Sequence, residues 1–116
     1  MFNLFKKKRN VVKLVFNNDE INTLCLLLYE KLSNLENKTN YNSVETNEYI
    51  ISKRYYKLLN NKQVAVIPVS ESDREDLLWL TVLLMREADK TKDTVTKDWL
   101  YSIAARIQMV HRGLGE

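Results

Sequence analysis

Few side chains in this sequence can do chemistry, and their spacing narrows what that chemistry could be. There is one cysteine, Cys25, and one histidine, His111. Zinc sites draw Cys, His and carboxylate ligands from clustered positions, and these two stand far apart in the chain. A nucleophilic triad needs a histidine beside a serine or cysteine, with a carboxylate to orient it. No elbow motif surrounds any serine here. The only glycines are Gly113 and Gly115, which excludes both a P-loop and a dinucleotide fingerprint. Cys25 lies within the apolar run 24–28, so it reads as an inert, buried thiol. His111 reads as a surface residue in the last turn of a helix, at the negative end of the dipole. Catalytic residues, metal and cofactor are therefore all expected to be none.

The carboxylates have structural explanations first. Asp19 and Glu20, then Glu71, Asp73, Glu75 and Asp76, fall where helices should start, where capping and the dipole favour them. An acidic cation site using Glu75 and Asp76 is the alternative, because carboxylate-only sites carry no firm sequence signature. The segment SKRYYKLLNNK is richer. Lys53, Arg54, Tyr55, Tyr56, Lys57 and Lys62 mix cations with aromatics, the combination that holds phosphates and stacks bases. On a helix Tyr55 aligns with Ile51 and Leu58 and belongs to the core, while Tyr56 falls outward beside Tyr49, Lys53 and Lys57. Large aromatics anchor interfaces, so Tyr56, Trp99 and Tyr101 are the expected partner-binding residues.

The N-terminus, MFNLFKKKRN, is a second candidate for contacts. Phe2, Leu4 and Phe5 precede Lys6, Lys7, Lys8 and Arg9. Residues 1–10 read as a flexible basic arm, with 11–116 as a single globular domain. Together with Lys53, Arg54 and Lys57, the residues Phe2, Phe5 and Lys6 to Arg9 are the expected contacts to nucleic acid or an anionic membrane. The formal charge of +3 reports this arm: without its four cations, 14 basic residues face 15 acidic ones. Apolar residues before basic ones is the wrong order for a secretory signal. The apolar runs 24–29 and 77–85 fall far short of the roughly 20 residues that span a bilayer. A cytoplasmic protein is the default.

These residues must be positioned by helices. A chain of 116 residues with two glycines and one proline has too few turn formers for a sandwich or barrel. Residues 11–16, VVKLVF, read as a short strand, and 63–69, with Pro68 confined to an edge or an end, as a second. Residues 21–35 place Ile21, Leu24, Leu28, Leu32 and Leu35 on one stripe, with Asn18 or Asp19 as cap. Residues 44–60 form a helix on Val44, Ile51, Tyr55 and Leu58. The stretch 73–89 is apolar nearly all round, which predicts a buried central helix, started by a Ser72–Glu75 capping box. The last helix, 97–112, lines up Leu100, Ile103, Ile107 and Val110. Thr94 or Thr96 caps it and Gly113 follows its C-cap in a left-handed conformation. The order strand–helix–helix occurs twice, and VKLVFNNDE loosely echoes AVIPVSESDRE.

The expected fold is α+β, predominantly α: four helices packed around a central helix, with two short strands. In composition, rich in Asn, Lys, Ile and Tyr, the chain resembles accessory proteins of AT-rich Gram-positive bacteria and their phages. The expected function is a small non-enzymatic protein-interaction module, such as a phage- or plasmid-encoded regulator or inhibitor. The alternatives are a nucleic-acid-binding accessory protein and a peripheral membrane protein tethered by residues 2–9. A homo-oligomer is open, since the last helix keeps an apolar seam from Leu100 to Leu114.

Overall fold

The computed structural model describes residues 12–114. The expectations for the arm, including Phe2, Phe5, Lys6, Lys7, Lys8 and Arg9, lie outside the described residues. The element order is β1 (Val12–Phe16), α1 (Asn18–Glu36), α2 (Ser43–Leu59), β2 (Ala65–Val69), a 3-10 turn (Glu71–Asp73), α3 (Arg74–Lys90) and α4 (Thr94–Leu114). The two strands pair in an antiparallel two-stranded sheet. The class is α+β, predominantly α, as expected. Both strands alternate: Leu14, Phe16, Ala65, Ile67 and Val69 are buried, while Lys13, Val15, Val66 and Pro68 are exposed, the period-2 pattern of a sheet with one covered face. Among the described residues no helix is long and apolar enough to cross a membrane.

The chain forms two compact units. One is continuous, Val15–Ile67, and the other joins the described residues up to Leu14 with those from Pro68 onward.

In the continuous unit α1 packs on α2. β1 ends at Phe16, so the first amides needing a partner follow immediately. Asn17, not Asn18 or Asp19, is the cap. The Glu20 N–H donates to Asn17 Oδ1 at 2.9 Å, and the Asn17 N–H donates back to Glu20 Oε1 at 2.9 Å. This reciprocal box satisfies two orphan donors and lets the Glu20 side chain be buried. α2 repeats the device with Asn42 and Glu45. Lys38 also hydrogen-bonds Glu45 and holds its carboxyl below the usual range.

α1 buries Ile21, Leu24, Leu28, Leu32 and Leu35 as expected. The buried face of α2 differs from expectation: it is Ile51, Ser52, Tyr55 and Leu59, while Val44 and Leu58 are exposed. A step of four from Tyr55 reaches Leu59 on the same ridge, whereas Leu58 is turned about 100° away from it by the helical pitch. Tyr41 donates its hydroxyl to the Leu35 carbonyl near the end of α1. The turn after α2 uses Asn61 at φ 67°, a left-handed conformation that asparagine tolerates better than most side chains.

Ser52 is fully buried and its Oγ has no hydrogen-bond partner. Ser52→Ala is therefore expected to raise stability by about 1 kcal/mol, by removing a desolvated hydroxyl and improving helix propensity. The urea midpoint measures it; a lower midpoint in the variant would contradict the assignment.

In the other unit α3 packs on α4. The expected Ser72–Glu75 box is not the one formed. β2 ends at Val69, and the Ser70 N–H donates to Asp73 Oδ2 at 2.8 Å, with a 3-10 turn leading into α3. The same serine–acid spacing occurs two residues earlier, and it captures the first amide freed by the strand. α3 buries Leu77, Leu80, Thr81, Leu84 and Ala88. The second stripe expected to be covered is not: Leu78 and Met85 are exposed. Thr81 stays buried because its hydroxyl donates to the Leu77 carbonyl at 2.9 Å.

α4 is capped by Asp93 rather than by Thr94 or Thr96. The Thr96 N–H and hydroxyl both donate to its carboxylate, which holds the Asp93 carboxyl below the usual range. Leu100, Ile103, Ala104 and Ile107 are buried as a stripe. Gly113 is helical and does not adopt a positive φ, which corrects the expected left-handed stop. The reason is Leu114, which is 1% exposed: burying it draws the last turn past the glycine.

The two strand–helix–helix runs correspond closely at their starts. Phe16, Asn17, Glu20 and Leu24 have counterparts in Val69, Ser70, Asp73 and Leu77, each 53 positions later. Each set supplies a buried strand end, an amide that donates to the acid three residues on, a buried carboxylate and, four residues after that acid, a buried leucine.

Candidate interaction groove

A groove lies within the α1–α2 unit. Asn22, Cys25, Leu26 and Tyr29 occupy positions i, i+3, i+4 and i+7 of α1 and so share one helical face. That face is adjacent to the buried stripe rather than part of it. With Tyr56 of α2 it forms a groove of about 480 Å³. Tyr29 and Tyr56 stand with ring centroids 6.1 Å apart and planes tilted by 41°, within the range favoured by aromatic pairs. Leu26 is 71% exposed and Tyr29 58%. Exposure of this degree at an aromatic and a leucine side by side is costly to leave in water.

Cys25 corrects the expectation of a buried thiol: it is half-buried and lines the groove. Partial burial still raises its pKa, so the thiol is a poor nucleophile near neutral pH. The groove offers apolar surface, two phenolic rings and the Asn22 amide, with no acid–base pair among these lining residues.

The α2 side of the groove is flanked by cations. Lys53, Tyr56, Lys57 and Asn60 stand at i, i+3, i+4 and i+7. The Lys53 ammonium lies 5.5 Å from the Tyr49 ring centroid, and the Arg54 guanidinium 5.6 Å from that of Tyr55. Residues 49–70 contain no Asp or Glu. The structure thus brings Tyr56 together with Lys53, Arg54 and Lys57 on one helix.

Trp99 and Tyr101 belong to α4, in the other unit. Trp99 is half-buried. Tyr101 is 36% exposed and donates its hydroxyl to Asp89, a hydrogen bond that raises its pKa. Among the described residues no three His, Cys, Asp or Glu side chains come together to hold a metal ion, Glu75 and Asp76 included.

No protein-family model, curated protein or solved structure matches this chain. The functional reading therefore rests on the groove itself. Of its lining, the sequence singled out Tyr56 as a contact residue and placed Cys25 in the core. Asn22, Leu26 and Tyr29 were legible only as residues left off the Ile21–Leu35 stripe, a signal shared with any solvated helix face.

Proposed function

We propose that this chain is a small non-enzymatic protein-interaction module, a cytoplasmic regulator or inhibitor of the kind that phages and plasmids encode, and that its partner seats in the α1–α2 groove. The observation that supports this reading is the exposed Leu26 beside the Tyr29–Tyr56 ring pair. Interface energy concentrates in a few aromatic and large apolar side chains that lose water on binding, and Tyr rings supply area at low entropic cost.

The test is a pull-down from nuclease-treated bacterial lysate with the full chain and with Leu26→Asp. Leu26 is exposed, so the variant should keep the thermal midpoint of the parent. One stoichiometric protein captured by the parent and lost with Leu26→Asp is the expected result. The same proteins on both baits, or none on either, would contradict the reading.

The acid-free stretch with Lys53, Arg54, Lys57 and Lys62 favours a second reading, a nucleic-acid-binding accessory role. It requires binding that falls steeply with salt. A gel-shift series with mixed single- and double-stranded DNA and RNA should show bands near ~50 mM salt that fade by ~200 mM, where phosphate contacts are screened.

A further inference from the structure

The charges around the groove are not evenly placed, and they specify what fits it. On the α2 side Lys53 and Lys57 flank Tyr56, and neither makes an ion pair among the described residues. The paired lysines of this unit, Lys31 with Glu48 and Lys38 with Glu45, engage the carboxylates of the first half of α2. The second half has no carboxylate of its own. On α1 the lining residues Asn22, Cys25, Leu26 and Tyr29 carry no charge at neutral pH. On α1, Asp19 and Glu30 fall beyond Leu26 in helical phase, on the edge away from the buried stripe, whereas Glu36 shares the phase of Tyr29 two turns further on, past the groove lining, where Tyr49 donates its hydroxyl to it at 3.5 Å. One side of the groove is therefore positive, its floor is apolar and aromatic, and its far edge is negative.

We infer that the groove takes an acidic amphipathic helix of a partner protein, with its apolar side chains between Leu26, Tyr29 and Tyr56 and its carboxylates against Lys53 and Lys57. This rests on the reading of the groove as the interaction site. The α1 lining spans two helical turns, about 10 Å at 1.5 Å per residue, and a helix offers apolar side chains at the matching i, i+3/i+4 and i+7 interval. Adding a third helix to a helical hairpin is ordinary ridge-into-groove packing. The carboxylates lie on the partner edge that faces α2 and are absent from the edge that faces Asp19 and Glu30, so charge sets the orientation of the helix as well as its identity.

The probes are two synthetic helical peptides with the same leucine face, one carrying glutamates on the flanking edge and the other lysines. Binding to the full chain is read by fluorescence anisotropy. Occupancy of the groove is read separately from alkylation of Cys25, the only cysteine in the chain, at a pH high enough to populate its thiolate. The glutamate peptide is expected to bind at least ~10-fold more tightly than the lysine peptide at low salt, with the ratio shrinking as salt screens the charges. It should also slow Cys25 alkylation. Lys53→Glu with Lys57→Glu, both at exposed positions, should invert the preference, and Leu26→Asp should remove binding of both peptides.

Equal affinity for the two peptides overturns the inference, and so does binding that leaves Cys25 alkylation unchanged. Protection of Cys25 by phosphatidylglycerol vesicles but by neither peptide overturns it in favour of a lipid surface. The two readings fail separately. A lysate partner lost with Leu26→Asp but kept by the double lysine variant sinks the acidic helix and leaves the groove. A partner kept by Leu26→Asp sinks the groove itself.

Discussion

Tyr55→Ala is expected to cost about 3–5 kcal/mol of stability, the range for truncating a fully buried aromatic. Tyr55 is 1% exposed and is among the largest fully buried side chains of the described chain. It lies on the α2 face with Ile51, Ser52 and Leu59. Removing this buried ring leaves a void that rigid helices fill only partly. Its sequence neighbour Tyr56 gives the control. Tyr56 is half-buried and lines the groove, so Tyr56→Ala should lose much less stability and chiefly affect binding. Urea unfolding followed by circular dichroism separates the two. With urea slopes of about 1–3 kcal/mol per molar, the Tyr55 variant should move the midpoint by more than a molar. Equal shifts for Tyr55 and Tyr56 would mean that the face of α2 is misassigned.

The second large effect is a contrast between neighbours on α3. Leu77 is completely buried and Leu78 is 48% exposed. Leu77→Ala is expected to cost about 2–5 kcal/mol and Leu78→Ala less than about 1 kcal/mol, following buried and surface substitutions respectively. The pair separates two descriptions of the helix. A helix covered all round would be damaged about equally at both positions. A helix covered along one stripe is damaged at Leu77 alone. Thermal melts of both variants under the same conditions give the answer directly.

That contrast also marks where sequence reasoning stopped. The number, type and order of the elements were legible, because 3.6-residue and 2-residue periodicities are strong over these lengths. The five stripe residues of α1, Ile21, Leu24, Leu28, Leu32 and Leu35, were legible, whereas Cys25 and Leu27, read as widening that stripe, are only half-buried. α3 misled because it carries two apolar stripes, Leu77–Leu80–Leu84–Ala88 and Leu78–Val82–Met85. Hydrophobicity alone does not say which stripe a neighbour will cover. The caps were placed one or two residues late, at Asn18 or Asp19 for Asn17 and at Ser72 for Ser70. Several Asn, Ser and Asp side chains crowd each start, and the residue that wins is set by where the strand ends. At α4 the threonines hid Asp93, whose carboxylate collects two donors from Thr96. The groove was least legible. Tyr56 stood out through its basic surroundings, but its wall on α1 depends on the rotation of α1 against α2, which no single helix encodes.

The division of the chain has a consequence for synthesis. The unit Val15–Ile67 is one uninterrupted run, whereas the other unit is assembled from both sides of it. A ribosome therefore delivers everything the α1–α2 hairpin needs before the first residue of α3 exists. Val12, Lys13 and Leu14 of β1 are made early, yet the part of β2 that belongs to their unit, Pro68 and Val69, comes only after the whole hairpin has emerged. Throughout that interval the leading strand carries backbone donors and acceptors with no partner strand, the exposed template on which nascent chains pair with one another. Any delay between α2 and β2, from a pause in translation or a lengthened connection at residues 60–64, extends that exposure. The fate of the nascent chain is thus coupled to the few polar residues, Asn60, Asn61, Lys62 and Gln63, that separate the hairpin from the strand that closes the sheet.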